Sequence, residues 1–205
     1  MKRRFLAGLG IALAVAVAAP GLSTPASAGG TKNLTLAQIL LSDSKKDAPN
    51  GFDSNPNDFD IVTQAILLFP DLVQAASNPG DYTVFLPTDY AFRRLVRDLT
   101  GKTVRKESDV FAAVAALGTD TVKGVLTYHI IAGARIDYKT ALASDGAELT
   151  TLNGAKITVD VRGHGFKSVV LMDGNAALRD PRVIIPNIVA SNGIAHGINR
   201  VLMPG

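Results

Sequence analysis

The stretch "TVFLPTDYAF", residues 83–92, decides how the rest of the chain is read. Thr83, Val84, Phe85 and Leu86 are β-branched or large apolar residues, the composition of a buried strand. Pro87 lacks the amide that a ladder needs and stops it. Thr88 or Asp89 then offers a side-chain oxygen to the exposed amides of a helix whose apolar face carries Ala91, Phe92 and Leu95. Strand, stop, cap and helix account for each residue type, so the segment is expected to be a structural joint.

Upstream, Thr35 to Leu41 has the pattern of a short helix, followed by the polar loop "SDSKKDAPNGFDSNPNDFD" at 42–60. Asp58 or Asp60 is positioned to cap a helix in which Ile61, Val62, Ala65, Ile66 and Phe69 share a face, with Pro70 ending or kinking it. Downstream, Ser108 or Asp109 is expected to cap "VFAAVAAL", which stops at Gly118, and Asp120 to cap a second helix through Leu126. The strand "TYHIIAG" follows, making residues 88–127 mainly helical. Beyond it, Ile157, Val159 and Val161 alternate with polar residues behind the hairpin signal Asn153-Gly154. Further strands are expected over Lys167 to Met172, Arg182 to Ile188 and Ile194 to Met203. Helices grouped early and strands late predict an α+β domain with a mainly antiparallel sheet.

The 205 residues begin with Lys2, Arg3 and Arg4, an apolar run from Phe5 to Ala19, and Ala26-Ser27-Ala28. Together these read as a secretory leader over 1–28, with a short linker expected at 29–33 and one domain at 34–204. The apolar run is shorter than the roughly 20 residues that span a bilayer, so no membrane anchor is expected in the mature form. Removing the leader's three bases leaves 18 basic against 18 acidic residues, a formal charge of zero. Nucleic acid therefore loses its electrostatic support as a partner, and Arg93, Arg94 and Arg97 read as a solvated helix face. With no cysteine in the chain, disulfides, thiol catalysis and thiolate-bound metals have no donor.

Taken in order, "TVFLPTDYAF" at 83–92, "LTYHIIAG" at 126–133 and "NIVASNGIAHGINRVLMP" at 187–204 resemble the three landmarks of the fasciclin domain family. The resemblance runs from about Leu34 to Pro204. It implies a β-sandwich or wedge decorated by several helices, and an exported, secreted or cell-envelope protein that binds a protein or polysaccharide in adhesion. In adhesive animal members, an Asp-Ile pair before the last landmark and the Tyr-His segment serve as proposed integrin contacts. Here Tyr128-His129 matches the second, but the first reads Pro186-Asn187-Ile188. A neutral amide is a poor substitute for the carboxylate that completes a hard cation's coordination, so integrin binding is not carried across. Tyr128, His129, Asn187 and Ile188 stand as candidate partner contacts beside a structural reading of Tyr128 and His129 at a helix-to-strand junction.

Thr88, Asp89, Phe92, Asn192, Gly193 and His196 are read as structural motif residues: His196 shares a strand face with Ile194 and Ile198, and Asn192-Gly193 marks a tight turn. His164 falls in a glycine-flanked turn, and the three histidines lack the spacing of a zinc site. Ser191 has no nucleophile elbow around it. Asp53, Asn55 and Asn57 imitate the start of a calcium loop, but Asp58 replaces its glycine and Gln64 its bidentate Glu. That loop is read as a solvated, helix-capping segment, and no cofactor is expected. Interaction module is the leading function; a carrier or enzyme using an apolar cleft for a small ligand is the alternative.

Overall fold

The computed structural model describes residues 33–44 and 50–205; the expected leader and most of its linker lie outside them. Helices come first: α1 (Leu36–Ser44), α2 (Asp60–Leu67) and α3 (Pro70–Ser77) precede strand β1 (Tyr82–Pro87). Then α4 (Asp89–Thr100), α5 (Glu107–Ala115) and α6 (Thr119–Tyr128) lead into β2 (Ile130–Ala132). After α7 (Tyr138–Leu142) the chain is extended, through β3 (Glu148–Thr150), β4 (Lys156–Arg162), β5 (Ser168–Met172), β6 (Val183–Ala190) and β7 (Gly193–Ile198). Pro70 is the first residue of α3, so it separates two helices where a kink in one was an alternative.

Two sheets form, one in the order β2-β1-β7-β6 and one in the order β3-β4-β5. Strand pairs are antiparallel except at the centre of the larger sheet, where β1 lies parallel to β7 in unbroken register from Tyr82↔Gly193 to Pro87↔Ile198. The period-two alternation of β1 then serves two cores. Val84 and Leu86 face the helices, on the core that holds Ile61, Phe92, Leu95 and Val110, whereas Phe85 faces the second sheet, in the core that holds Ile131, Val159 and Leu171. The result is a helical layer, a central mixed sheet and a small antiparallel sheet, an α+β sandwich of the expected class.

Local chemistry sets several boundaries differently from the sequence pattern. The first residue of α5 is Glu107, not a residue after Ser108 or Asp109, and its N-cap Lys106 makes no side-chain cap bond. Gly118 occupies that position for α6, so Asp120 sits inside the first turn and contributes through the helix dipole. Between β3 and β4 the connection runs over residues 151–155. There Asn153 Oδ1 accepts from Thr151 Oγ1 and Ala155 N, and Gly154 takes φ +87°. The Asn-Gly pair does mark the hairpin, within a longer loop than two residues.

Candidate functional site

At the joint that opened the sequence, Thr88 and Asp89 divide the capping work between two helices. Thr88 is the N-cap of α4 and its side chain accepts from Ala91 N at 3.4 Å. Asp89, fully buried, points its Oδ1 at a different helix and accepts from Ile61 N in the first turn of α2 at 2.9 Å. The expected cap of α2 by its own Asp58 or Asp60 does not occur: Phe59 is the N-cap, and Asp60 Oδ2 instead accepts from Asp53 N at 3.0 Å. The polar loop is held against α4 by Asp89 N to Asp58 O and Tyr90 N to Pro56 O.

This arrangement brings the first residues of three helices together: Asp60 of α2, Asp89 of α4 and Glu107 of α5. All three are buried, and each places a carboxylate oxygen within 4.8 Å of the others. Asp53, Asp58 and Asp60 form a second group of the same dimensions nearer the surface. Arg93 pairs with Glu107 Oε1 at 2.7 Å. Burial pushes the carboxyls of Asp58, Asp60 and Asp89 upward, and Glu107 up to about 7 despite Arg93. The sequence placed only the loop's share of these acids together; Asp89 and Glu107 join it through tertiary packing.

Tyr128 and His129 are 1% and 3% exposed, which removes both from the candidate partner surface. Tyr128 Oη donates to Lys156 O at 2.8 Å and accepts from Gly174 N at 3.2 Å. His129 Nδ1 bonds Val125 O at 2.7 Å while Nε2 accepts from Leu202 N at 3.0 Å, which fixes the Nδ1–H tautomer. Burial holds its pKa down, at about 4. The two rings therefore tie α6 to the second sheet and to the segment that follows β7.

His196 is also buried; its Nε2 bonds Ile136 O at 2.8 Å and its Nδ1 accepts from Asn187 N at 3.2 Å. With both ring nitrogens engaged it has none left to activate Ser191. Asn187 itself is exposed, at a bulge in β6 with φ +61°, a conformation that asparagine tolerates better than most residues. Its Oδ1 accepts from Tyr138 N at the start of α7 at 2.9 Å. Ile188 beside it is half-buried against the helical core.

Asn192 has a role that turn propensity alone did not reveal. Ser191 and Asn192 make the turn and Gly193 begins β7. The buried Asn192 amide accepts from Leu36 N at 2.9 Å and donates to Ala76 O and Asn78 O, both at 2.9 Å. One side chain thus joins the start of α1 and the end of α3 to the β6–β7 hairpin. Between these helices and β1 lies an open apolar cavity of about 630 Å³, its solvent mouth included, lined by Leu36, Leu40, Ile66, Leu72 and Val84 among others. Among the described residues no single helix is long and apolar enough to cross a membrane.

Comparison with known proteins matches these features to one family. A family model described as the fasciclin domain matches residues 58–204. Protein sll1483 of Synechocystis sp. is 30% identical over 134 residues, 65% of this chain and 61% of that protein. The immunogenic protein MPB70 of Mycobacterium bovis is 30% identical over 127 residues, 62% of this chain and 52% of that protein. The chain thus spans less than two thirds of the length of either relative. A solved FAS1 domain pair from the insect cell adhesion molecule fasciclin I shares the fold with a TM-score of 0.59 at 17% identity, covering 85% of this chain and 52% of that one.

Proposed function

The chain belongs to the fasciclin domain family, and from that premise we propose that it is an exported, non-enzymatic interaction protein. It binds a protein or polysaccharide at the cell surface or in the surrounding matrix. The observation that carries the reading is the fasciclin domain match over residues 58–204, supported by a fold shared with an insect cell adhesion molecule. With Tyr128 and His129 committed to the interior, the contact surface falls on β6, an edge strand where Ile184 is 44% exposed beside the exposed Pro186 and Asn187. Edge strands offer unpaired backbone groups and alternate side chains to an extended partner.

Co-sedimentation of the chain lacking residues 1–28 with isolated cell envelopes and matrix polysaccharide tests this. Saturable binding lost in Ile184→Glu, with the melting curve preserved, supports the reading. Turnover of a small molecule with no macromolecular partner overturns it.

The apolar cavity favours a second reading, carriage of a small apolar ligand, because its lining is mainly aliphatic and it opens to solvent. Displacement of a fluorescent fatty-acid probe, weakened by Val84→Asp at a half-buried lining position, would separate this reading from adhesion.

A further inference from the structure

We propose that the buried carboxylates beneath the β1–α4 joint form a binding site for one hard divalent cation of the calcium class, with Asp58, Asp60, Asp89 and Glu107 as its protein ligands. Most of these acids have one oxygen already engaged. Asp89 Oδ1 accepts from Ile61 N, Asp60 Oδ2 from Asp53 N, and Glu107 Oε1 from Arg93. Glu107 Oε2 is buried with no hydrogen-bond partner among the described residues. The buried Asp58 Oδ1 and Asp89 Oδ2 belong to two side chains within hydrogen-bonding reach of each other, acceptor against acceptor, where either a shared proton or a cation is needed. Asp89 and Glu107 are 0% and 1% exposed, so solvent does not satisfy those two.

Geometry and charge agree with this assignment. Oxygens bound to one calcium ion at 2.3–2.6 Å lie at most about 5 Å apart, and the oxygens of Asp60, Asp89 and Glu107 fall within 4.8 Å of one another. Asp53, Asp58 and Asp60 repeat that spacing toward the surface, which gives an ion a path of carboxylates to follow. Arg93, on Glu107 Oε1, and three helix N-termini offset only part of the negative charge. Purely oxygen donors select a hard cation over zinc or copper. The departures of the Asp53–Gln64 segment from a calcium loop acquire a spatial answer: Gln64 Nε2 donates to Ser44 Oγ, and the acids the loop lacks come from α4 and α5. A bound ion would lock the loop, α2, α4 and α5 together.

The test uses the full chain without residues 1–28, stripped with chelator and then titrated with Ca2+ and, separately, Mg2+. Equilibrium dialysis should count one Ca2+ per chain, and saturating Ca2+ should raise Tm by about 5–10 °C, reversed by excess EGTA. Asp89→Asn and Glu107→Gln each retain an oxygen for the observed hydrogen bond and should weaken Ca2+ binding at least tenfold. Absence of binding by either ion, or binding untouched by both substitutions, overturns the proposal. A cation-insensitive wild type that Asp89→Asn stabilises would also overturn it, because a proton shared between Asp58 and Asp89 would then satisfy the orphaned oxygens.

Discussion

Acidifying the protein charges an imidazole that the fold holds neutral. His129 is buried with Nδ1–H on Val125 O and its bare Nε2 receiving Leu202 N–H. A second proton would turn Nε2 into a donor facing a donor, with no water to stabilise the charge. A depression from 6.5 to about 4 is worth about 3 kcal/mol at roughly 1.4 kcal/mol per pH unit. Because the folded pKa lies below the unfolded one, the unfolded chain binds the proton first. The contribution is whole above pH 6.5 and is lost as pH falls towards about 4, at up to about 1.4 kcal/mol per pH unit. Asp89 and Glu107, whose pKa values are raised, act in the opposite sense, so a raw pH profile mixes the two.

Urea denaturation of wild type and His129→Gln at half-unit steps from pH 7 to 4 isolates the histidine. The variant starts less stable, but the gap between the two curves should close by about 3 kcal/mol over this interval. Parallel curves, or an NMR titration placing native His129 near 6.5, would refute the reasoning.

Other substitutions probe single joints. Asn192→Ala strands the Leu36 amide and the Ala76 and Asn78 carbonyls and should cost about 2–4 kcal/mol in urea denaturation. Gly193→Ala drives a methyl to 2.7 Å from the Tyr82 carbonyl oxygen in the parallel ladder, and a Tm drop reflecting at least about 1 kcal/mol is expected. Thr88→Ala removes a long cap bond, so chemical denaturation should show a loss near the low end of about 0.5–2 kcal/mol, with partner binding unchanged. Asn187→Ala removes the cap on Tyr138 N and places alanine at positive φ; a loss of about 1 kcal/mol by thermal melting is expected.

What the sequence disclosed followed from local physics. The strand, proline and cap of residues 83–92 are short-range requirements, and so are the alternation of β4 and the three family landmarks. The structure adds relations between distant positions that no window can contain. Thr88 and Asp89 are both good caps by composition, and only packing reveals that the second serves α2. Tyr128 and His129 have the amphipathic character of contact residues and of buried network residues alike; their inward placement depends on Lys156, Gly174 and Leu202. Glu107 lay outside the helix drawn from a cap at Ser108 or Asp109, and it enters the cluster because α5 begins earlier, at Glu107 itself, and packs against α2 and α4.

The β1–β7 pairing has a kinetic meaning. Its partners are separated by 111 positions, from Tyr82↔Gly193 to Pro87↔Ile198. A parallel contact at that separation closes a long loop before its ladder repays the entropy. The helices can form as local units, but the larger sheet cannot gain its central pair until the residues of β7 are available. A chain interrupted before Gly193 would leave one edge of β1 with no partner, and aggregation or proteolysis of such fragments is the expected fate.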